Sequence, residues 1–299
     1  MRLPPAEWFP AGDPDIRIRR VSLRDGLQLR VLEAGPANGP PVVLLHGWAV
    51  SAYLWRHNIK PLAAAGYRVH APDLPGHGLS AAPKARGHMT LDRLTASLAM
   101  LLDALDVDRA PIVAQSMGAR IAIELARCEG ARVSRLALFG PVGFGLLPPH
   151  KALVSFLPSL PGTLPSLVVT RRVVEFIQRR VHGKPKMGWF TERDVDEYWA
   201  PSQFPGIVRA QLQILREFDW APLQPVVLAA LPIPTLVVFG TLDRTVRPAN
   251  VERLVAALPA GRLEWIVGGG HVVMEEVPDR VNTMLLAFLG EMAAAPNPR

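Results

Sequence analysis

Short apolar runs that end in a glycine or a polar residue recur along this chain, and helix-length amphipathic segments fill the intervals between them. The runs are PPVVLLHG (40–47), GYRVHAPD (66–73), RAPIVAQS (109–116), SRLALFG (134–140), IPTLVVFG (233–240) and GRLEWIVGGG (261–270). Helical patterns lie near 51–65, 89–105, 117–128, 248–258 and 276–290. Strands that are apolar on both faces need helices on both sides, so the alternation predicts an α/β fold with a mostly parallel central sheet flanked by helices. Ligands of such folds bind beyond the C-terminal ends of the strands, which is where the polar residues of these runs fall.

Two departures from the alternation organise the rest. RIRRVSLRDGLQLRVLEAG reads as two alternating strands joined at Asp25-Gly26, a hairpin signal. From about 141 to 232 the pattern lapses into a segment rich in Pro, aromatics and helix-like patches such as RRVVEFIQRR. Residues 1–140 and 233–299 are therefore expected to form one core domain, with 141–232 a helical cap inserted over the strand ends.

At 299 residues, with 49% hydrophobic and 20% charged, the chain is long enough for one sizeable core plus an insertion. A formal charge of +7 raises nucleic acid or an anionic membrane as partner, but the basic residues are mostly Arg scattered among acids, as in any compositionally biased chain. No nucleic-acid partner and no stable membrane anchoring are expected, and the chain is read as a monomer or homodimer. Cys128 is the single cysteine, which excludes an intramolecular disulfide. The N-terminal MRLPPAEWFPAGDPD lacks the apolar core of a signal peptide, so a soluble cytoplasmic protein is expected.

Chemistry concentrates in IVAQSMGARIAIELA (112–126), where Ser116 sits abruptly between an apolar strand and a helix pattern. Ala114, Gly118 and Ala119 surround it with small side chains, as a sharp strand-to-helix turn requires. The other reading of this serine is a helix N-cap. A nucleophilic serine needs a base, and the base needs an orienting acid. Asp243 follows the strand of VVFGTLDRTV, and His271 follows the next strand in a loop whose Gly268-Gly269-Gly270 turn would let its imidazole swing toward Ser116. Of the other histidines, His57, His70, His88, His150 and His182 read as surface or packing residues, His77 as a loop anchor and His46 as a brace for the Gly47 loop. Asp73 is a competing acid, but its Pro/Gly loop gives it a turn-forming role. Backbone donors for a developing oxyanion are expected at Met117, next after the serine, and at Trp48 after Gly47.

With these residues in place the chain resembles the α/β-hydrolase superfamily over nearly its whole length. LLHGW, DLPGHGLS, AQSMGA, FGTLDRTV and GGHVVMEEVPDRV stand in the order oxyanion loop, Pro/Gly loop, nucleophile, acid, histidine. The resemblance implies Ser116 as nucleophile, Asp243 as acid, His271 as base, Trp48 and Met117 at the oxyanion positions, and no metal or organic cofactor. Haloalkane dehalogenases and epoxide hydrolases of this fold carry an aspartate nucleophile where this chain has Ser116. HGWAVSAYLW also lacks the Gly-Pro-Gly type loop of the ring-cleavage-product hydrolases.

The expected activity is therefore hydrolysis of a carboxylic ester, or a related acyl bond, of a moderately hydrophobic small molecule. Perhydrolysis, acyl transfer and carbon–carbon bond hydrolysis on the same triad stand as alternatives, as does a weakly hydrolytic ligand sensor. Trp48, Phe144 and Trp189 are the candidates for substrate contact, within a cap that also carries Leu146, Leu147, Phe156, Leu157, Phe190, Tyr198, Trp199, Phe204 and Trp220. The basic stretch RRVVEFIQRRVHGKPK (171–186) reads first as a solvated helix side; attraction to an anionic substrate or lipid surface is the sharper alternative.

Overall fold

The computed structural model describes residues 3–143, 169–183, 190–246 and 251–291. Asp25-Gly26 turns the chain between β1 (Ile16–Ser22) and β2 (Gln28–Ala34), with Gly26 at φ 86° and Asp25 Oδ1 accepting the Leu27 N–H at 3.0 Å. β1 and β2 pair antiparallel, and β2 pairs antiparallel with β4 (Arg68–Pro72). β3 (Pro41–Leu45), β5 (Ala110–Gln115), β6 (Val133–Phe139), β7 (Thr235–Gly240) and β8 (Gly261–Ile266) complete an eight-stranded sheet in the order β1-β2-β4-β3-β5-β6-β7-β8, parallel from β4 onward.

Alternation along the central strands divides the core between the two faces. Val43, Leu45, Ile112, Leu136 and Val237 face one way, against Leu94 and Leu98 of α2 (Leu91–Ala104), Ile121 and Leu125 of α3 (Met117–Cys128) and Leu254 of the helix Val251–Val255. Val42, Leu44, Val113, Phe139 and Val238 face the other, against Ile59 and Leu62 of α1 (Ile59–Ala64) and Leu285 and Phe288 of the helix Pro278–Gly290. Each such side chain contributes roughly 1.5–3 kcal/mol by its burial. Between β6 and β7 the described residues form α4 (Arg171–Val181), α5 (Glu192–Trp199), α6 (Pro205–Glu217) and α7 (Pro225–Ala229). After β7 come α8 (Val251–Val255), α9 (Val273–Glu276) and α10 (Pro278–Gly290). No helix among the described residues is long and apolar enough to cross a membrane.

Two expected elements differ in form. The helix expected at 51–65 is a 3-10 turn at Ala52–Trp55 followed by α1. Pro61 has no N–H to give the carbonyl four residues back, and that carbonyl, His57 O, instead accepts from Asn282 Nδ2 at 2.9 Å. The strand expected at 261–270 stops at Ile266 and alternates half-buried and exposed positions up to the buried Ile266, because β8 is an edge strand paired with β7 alone.

One buried ion pair gathers the loops above the N-terminal half of the sheet. Asp73, directly after β4, accepts from Arg30 Nη1 at 3.0 Å and the Leu79 N–H at 2.8 Å through Oδ2, and from the Ala52 N–H at 2.8 Å through Oδ1. Burial opposes its charge, but the Arg30 guanidinium and the two N–H donors outweigh it and hold the carboxyl below its ordinary range. Asp73→Ala leaves the Arg30 charge and both N–H groups buried without their acceptor. Urea unfolding should show a loss of about 3–5 kcal/mol.

Candidate active site

Ser116 directly follows β5 with φ 52°, a left-handed backbone conformation that a residue with a Cβ adopts only under constraint. Its N–H still completes the sheet, donating to Phe139 O at 2.9 Å, and its carbonyl accepts from Ala119, Arg120 and Val142. The constraint comes from close packing: a Cβ on Gly118 would lie 2.5 Å from His46 O and 2.9 Å from Leu45 O, so α3 presses its first turn onto the end of β3. The serine side chain makes no capping bond to α3, which leaves the N-cap reading without support. Met117 opens the helix, so its N–H has no acceptor within it.

Asp243 and His271 meet beside this turn. His271 Nδ1 donates to Asp243 Oδ2 at 2.8 Å, and Asp243 Oδ1 accepts the N–H groups of Thr245 at 2.7 Å and Val246 at 3.0 Å. With Nδ1 donating, Nε2 carries the lone pair of the neutral ring, as a base for a serine hydroxyl requires. Gly140, at the end of β6, makes room for the pair: at φ 49°, a Cβ there would lie 2.9 Å from His271 Nδ1 and 3.1 Å from Asp243 Oδ2.

The loop after β3 is fixed by His46. Its Nδ1 donates to Gly47 O at 2.7 Å and its Nε2 accepts the Leu74 N–H at 2.9 Å, which defines a neutral ring; complete burial lowers its pKa in agreement. Because the Gly47–Trp48 peptide is trans and planar, holding the Gly47 carbonyl on one side directs the Trp48 N–H to the other. Among the described residues that N–H has no acceptor. Ala49, next in the loop, has φ 60°, a second left-handed residue with a Cβ at the same site.

Ser116, His271, Trp48 and Gln115 all line one cavity of about 510 Å³, within the range typical of small-molecule sites. Its apolar wall includes Val142, Ile177, Val181, Phe218 and Trp220, and its polar groups include Thr245 and Asp219, the latter paired with Arg120 at 2.8 Å. Of the aromatic residues expected to contact substrate, Trp48 lines the cavity and its indole N–H donates to Gln211 O at 2.9 Å. Phe144 and Trp189 lie outside the described residues, as do Leu146, Leu147, Phe156 and Leu157. Phe190, Tyr198 and Trp199 pack with Tyr53 instead, and Phe204 packs edge-on against Trp8. Among the described residues no group of three or more His, Cys, Asp or Glu converges to hold a metal ion.

Comparison with known families places the chain. A model described as alpha/beta hydrolase fold matches residues 40–278. The chain belongs to the alpha/beta hydrolase fold family. It is 28% identical to epoxide hydrolase A of Mycobacterium tuberculosis (strain ATCC 25618 / H37Rv), over 89% of this chain and 95% of that protein. It is 33% identical to the magnesium-chelatase 30 kDa subunit of Rhodobacter capsulatus, over 87% of this chain and 90% of that one. Among solved structures, the 2-hydroxy-6-oxo-6-phenylhexa-2,4-dienoate hydrolase of Rhodococcus sp. strain RHA1 superposes with a TM-score of 0.77 at 25% identity, covering 91% of this chain and 99% of that one. Hydrolase-fold relatives of this kind indicate an enzyme.

In this hydrolase the histidine loop is held rather than free to swing. The His271 N–H donates to Val181 O at 2.8 Å, at the end of α4, and the His271 carbonyl accepts from Gln115 Nε2 at 3.3 Å. Gly270 touches Gly183 so closely that a Cβ on it would lie 2.3 Å from the Gly183 nitrogen, so these glycines serve close approach. Glu276 accepts the N–H groups of Gly270 at 3.0 Å and Gly183 at 3.1 Å.

Behind the loop lies a buried polar cluster that sequence reading missed. Glu275 contacts Arg56, the Tyr198 hydroxyl and, at 3.6 Å, His182 Nε2. Arg56 also pairs with Asp194 at 2.9 Å, and Asp194 accepts the Tyr53 hydroxyl at 2.7 Å. Burial opposes the Glu275 charge, but Arg56 and then His182 outweigh it and hold the carboxyl at about 2. His182 Nδ1 donates to Gln178 O at 2.6 Å, so Nε2 faces Glu275 as a donor only in the imidazolium form. Burial works against that cation, but Glu275 prevails and the His182 pKa is raised above 6.5.

Two outcomes follow from these contacts. His46→Ala frees the Gly47–Trp48 peptide, so kcat for hydrolysis should fall roughly tenfold to hundredfold with KM little changed, measured by steady-state kinetics. The second concerns pH. Stability from the depressed Glu275 is present above its ordinary 4.5 and lost as pH falls toward 2, whereas that from the raised His182 is present below 6.5 and lost as pH climbs through its folded value. The Tm difference between the native protein and His182→Gln should therefore shrink from about pH 6 to about pH 9 in thermal scans.

Proposed function

We propose that this chain is a serine hydrolase that cleaves a carboxylic ester, or a related acyl bond, of a moderately hydrophobic small molecule through an acyl-enzyme. The observation that carries this reading is Ser116 on a strained strand-to-helix turn, facing the same cavity as a His271 ring whose Nδ1 is bound to Asp243. Residues 141–232 act in this reading as a cap, and the cavity wall supplied from that segment binds the acyl group.

The reaction runs in two balanced halves. His271 Nε2 takes the Ser116 hydroxyl proton as Oγ bonds to the substrate carbonyl carbon, and the carbonyl oxygen becomes an oxyanion facing the N–H groups of Trp48 and Met117. Asp243 stabilises the imidazolium through Nδ1–H. The carbonyl re-forms as the bond to the leaving alcohol breaks, and the imidazolium proton passes to the alkoxide. Water then attacks the Ser116 ester, giving its proton to Nε2, and collapse releases the acid and returns the proton to Oγ. Each proton taken is given back, so the residues alone complete the cycle.

The serine separates this chain from epoxide hydrolases and dehalogenases that work through aspartate, despite its likeness to an epoxide hydrolase. The mostly apolar cavity, with Asp219 neutralised by Arg120, supports an uncharged acyl group.

Hydrolysis of p-nitrophenyl esters of increasing acyl length should be robust for the native protein and fall by about 10⁴-fold or more for Ser116→Ala. Equal turnover in the two proteins, or none in a folded native sample across the series, overturns the reading.

A further inference from the structure

Helix α4 turns two unlike faces to its surroundings. Inward it buries Val174 and Gln178, and it contributes Ile177, Gln178 and Val181 to the cavity wall. At about 100° per residue, Arg172, Val173, Phe176, Ile177 and Arg180 share the outward arc. There Phe176 is 65%, Ile177 49% and Val173 41% exposed. Arg171 is matched by Glu192 and Asp196, and Arg179 by Glu175 at 2.9 Å. Among the described residues Arg172 and Arg180 form no ion pair.

An exposed aromatic and two aliphatic residues between the Arg172 and Arg180 guanidiniums suit neither water nor a purely ionic partner. A nucleic acid would satisfy the arginines and leave the apolar side chains wet. An anionic lipid surface satisfies both, since the apolar side chains enter the acyl boundary while the arginines meet phosphate groups. The formal charge of +7 on the whole chain favours the encounter.

We propose that the outward face of α4, through Val173, Phe176, Arg172 and Arg180, docks the enzyme reversibly on an anionic lipid surface. Ile177 is both on that face and in the cavity wall, so docking sets the cavity beside the surface and directs the enzyme to amphiphilic esters held there. The substrate half of this proposal rests on the esterase reading; the docking half does not.

Sedimentation with vesicles tests docking in the Ser116→Ala background, where hydrolysis cannot alter the lipid. The protein should co-sediment with phosphatidylcholine/phosphatidylglycerol vesicles, be released by salt, and ignore pure phosphatidylcholine. The Arg172→Gln, Arg180→Gln pair should weaken partitioning roughly 25-fold, about fivefold per arginine. Phe176→Ser should weaken it roughly tenfold, while Arg172→Lys with Arg180→Lys stays within about twofold. With Ser116 restored, the same variants should hydrolyse a soluble short-chain ester at the native rate, which also reports that they fold. Partitioning that is absent, equal in native and variants, or equal on neutral vesicles overturns the proposal. So does preference for single-stranded DNA over vesicles, or a dimer that Phe176→Ser dissociates. Vesicle binding without ester turnover sinks only the esterase reading, and turnover without vesicle binding sinks only the docking.

Discussion

The backbone at Ser116 is the constraint on which the rest of the site depends. A left-handed residue with a Cβ costs about 1–3 kcal/mol and persists only where its neighbours over-determine it. Here they do so from three sides. The Ser116 N–H is committed to Phe139 in the sheet, its carbonyl to the first turn of α3 and to Val142, and Gly118 lies flush on the carbonyls of Leu45 and His46. The same contact that forces the turn brings the end of β3 to the serine, so the Gly47–Trp48 peptide arrives beside it without a separate device. The eight-stranded sheet and its two apolar layers are the rigid body against which this strain is held.

The site divides its support between two kinds of interaction. On the β3 side, His46 acts as a neutral ring and Asp73 through an ion pair with Arg30, whose charges do not change near neutrality; His77, in edge contact with His46 and driven by burial down to about 3, stays neutral as well. On the β8 side the support is ionic, with Arg56, Asp194, Glu275 and His182 joining helices that are distant in sequence. The first half of the site is therefore indifferent to pH near neutrality, and the second is not.

Much of this was legible in the sequence, and the limits are instructive. The strand runs, the Asp25-Gly26 hairpin and the small residues around Ser116 are local signals, because period, turn chemistry and crowding act over a few residues. Ser116, Asp243 and His271 stand out because each follows an apolar run. Gly140 ends an apolar run as well, but only the three-dimensional approach of His271 and Asp243 shows why a side chain is excluded there. His182 read as a surface or packing residue because its partner, Glu275, is 93 residues away in sequence, the same separation as that of Gly183 from Glu276. The Gly268-Gly269-Gly270 run looked like a swivel, and its true use, backbone packed on backbone, needs the partner Gly183 to be seen.

The bond from the His271 amide to the Val181 carbonyl makes the helices between β6 and β7 and the sheet a single inheritance. A helical insertion joined only through its two chain ends could be exchanged among relatives like a module. This one supplies a main-chain acceptor to the residue at the centre of the site, and Gly183 fits where no other residue would. Any graft that omits the Val181–Gly183 stretch strands a buried N–H beneath the imidazole, so diversification of the substrate wall has to proceed around that stretch, which travels with the histidine.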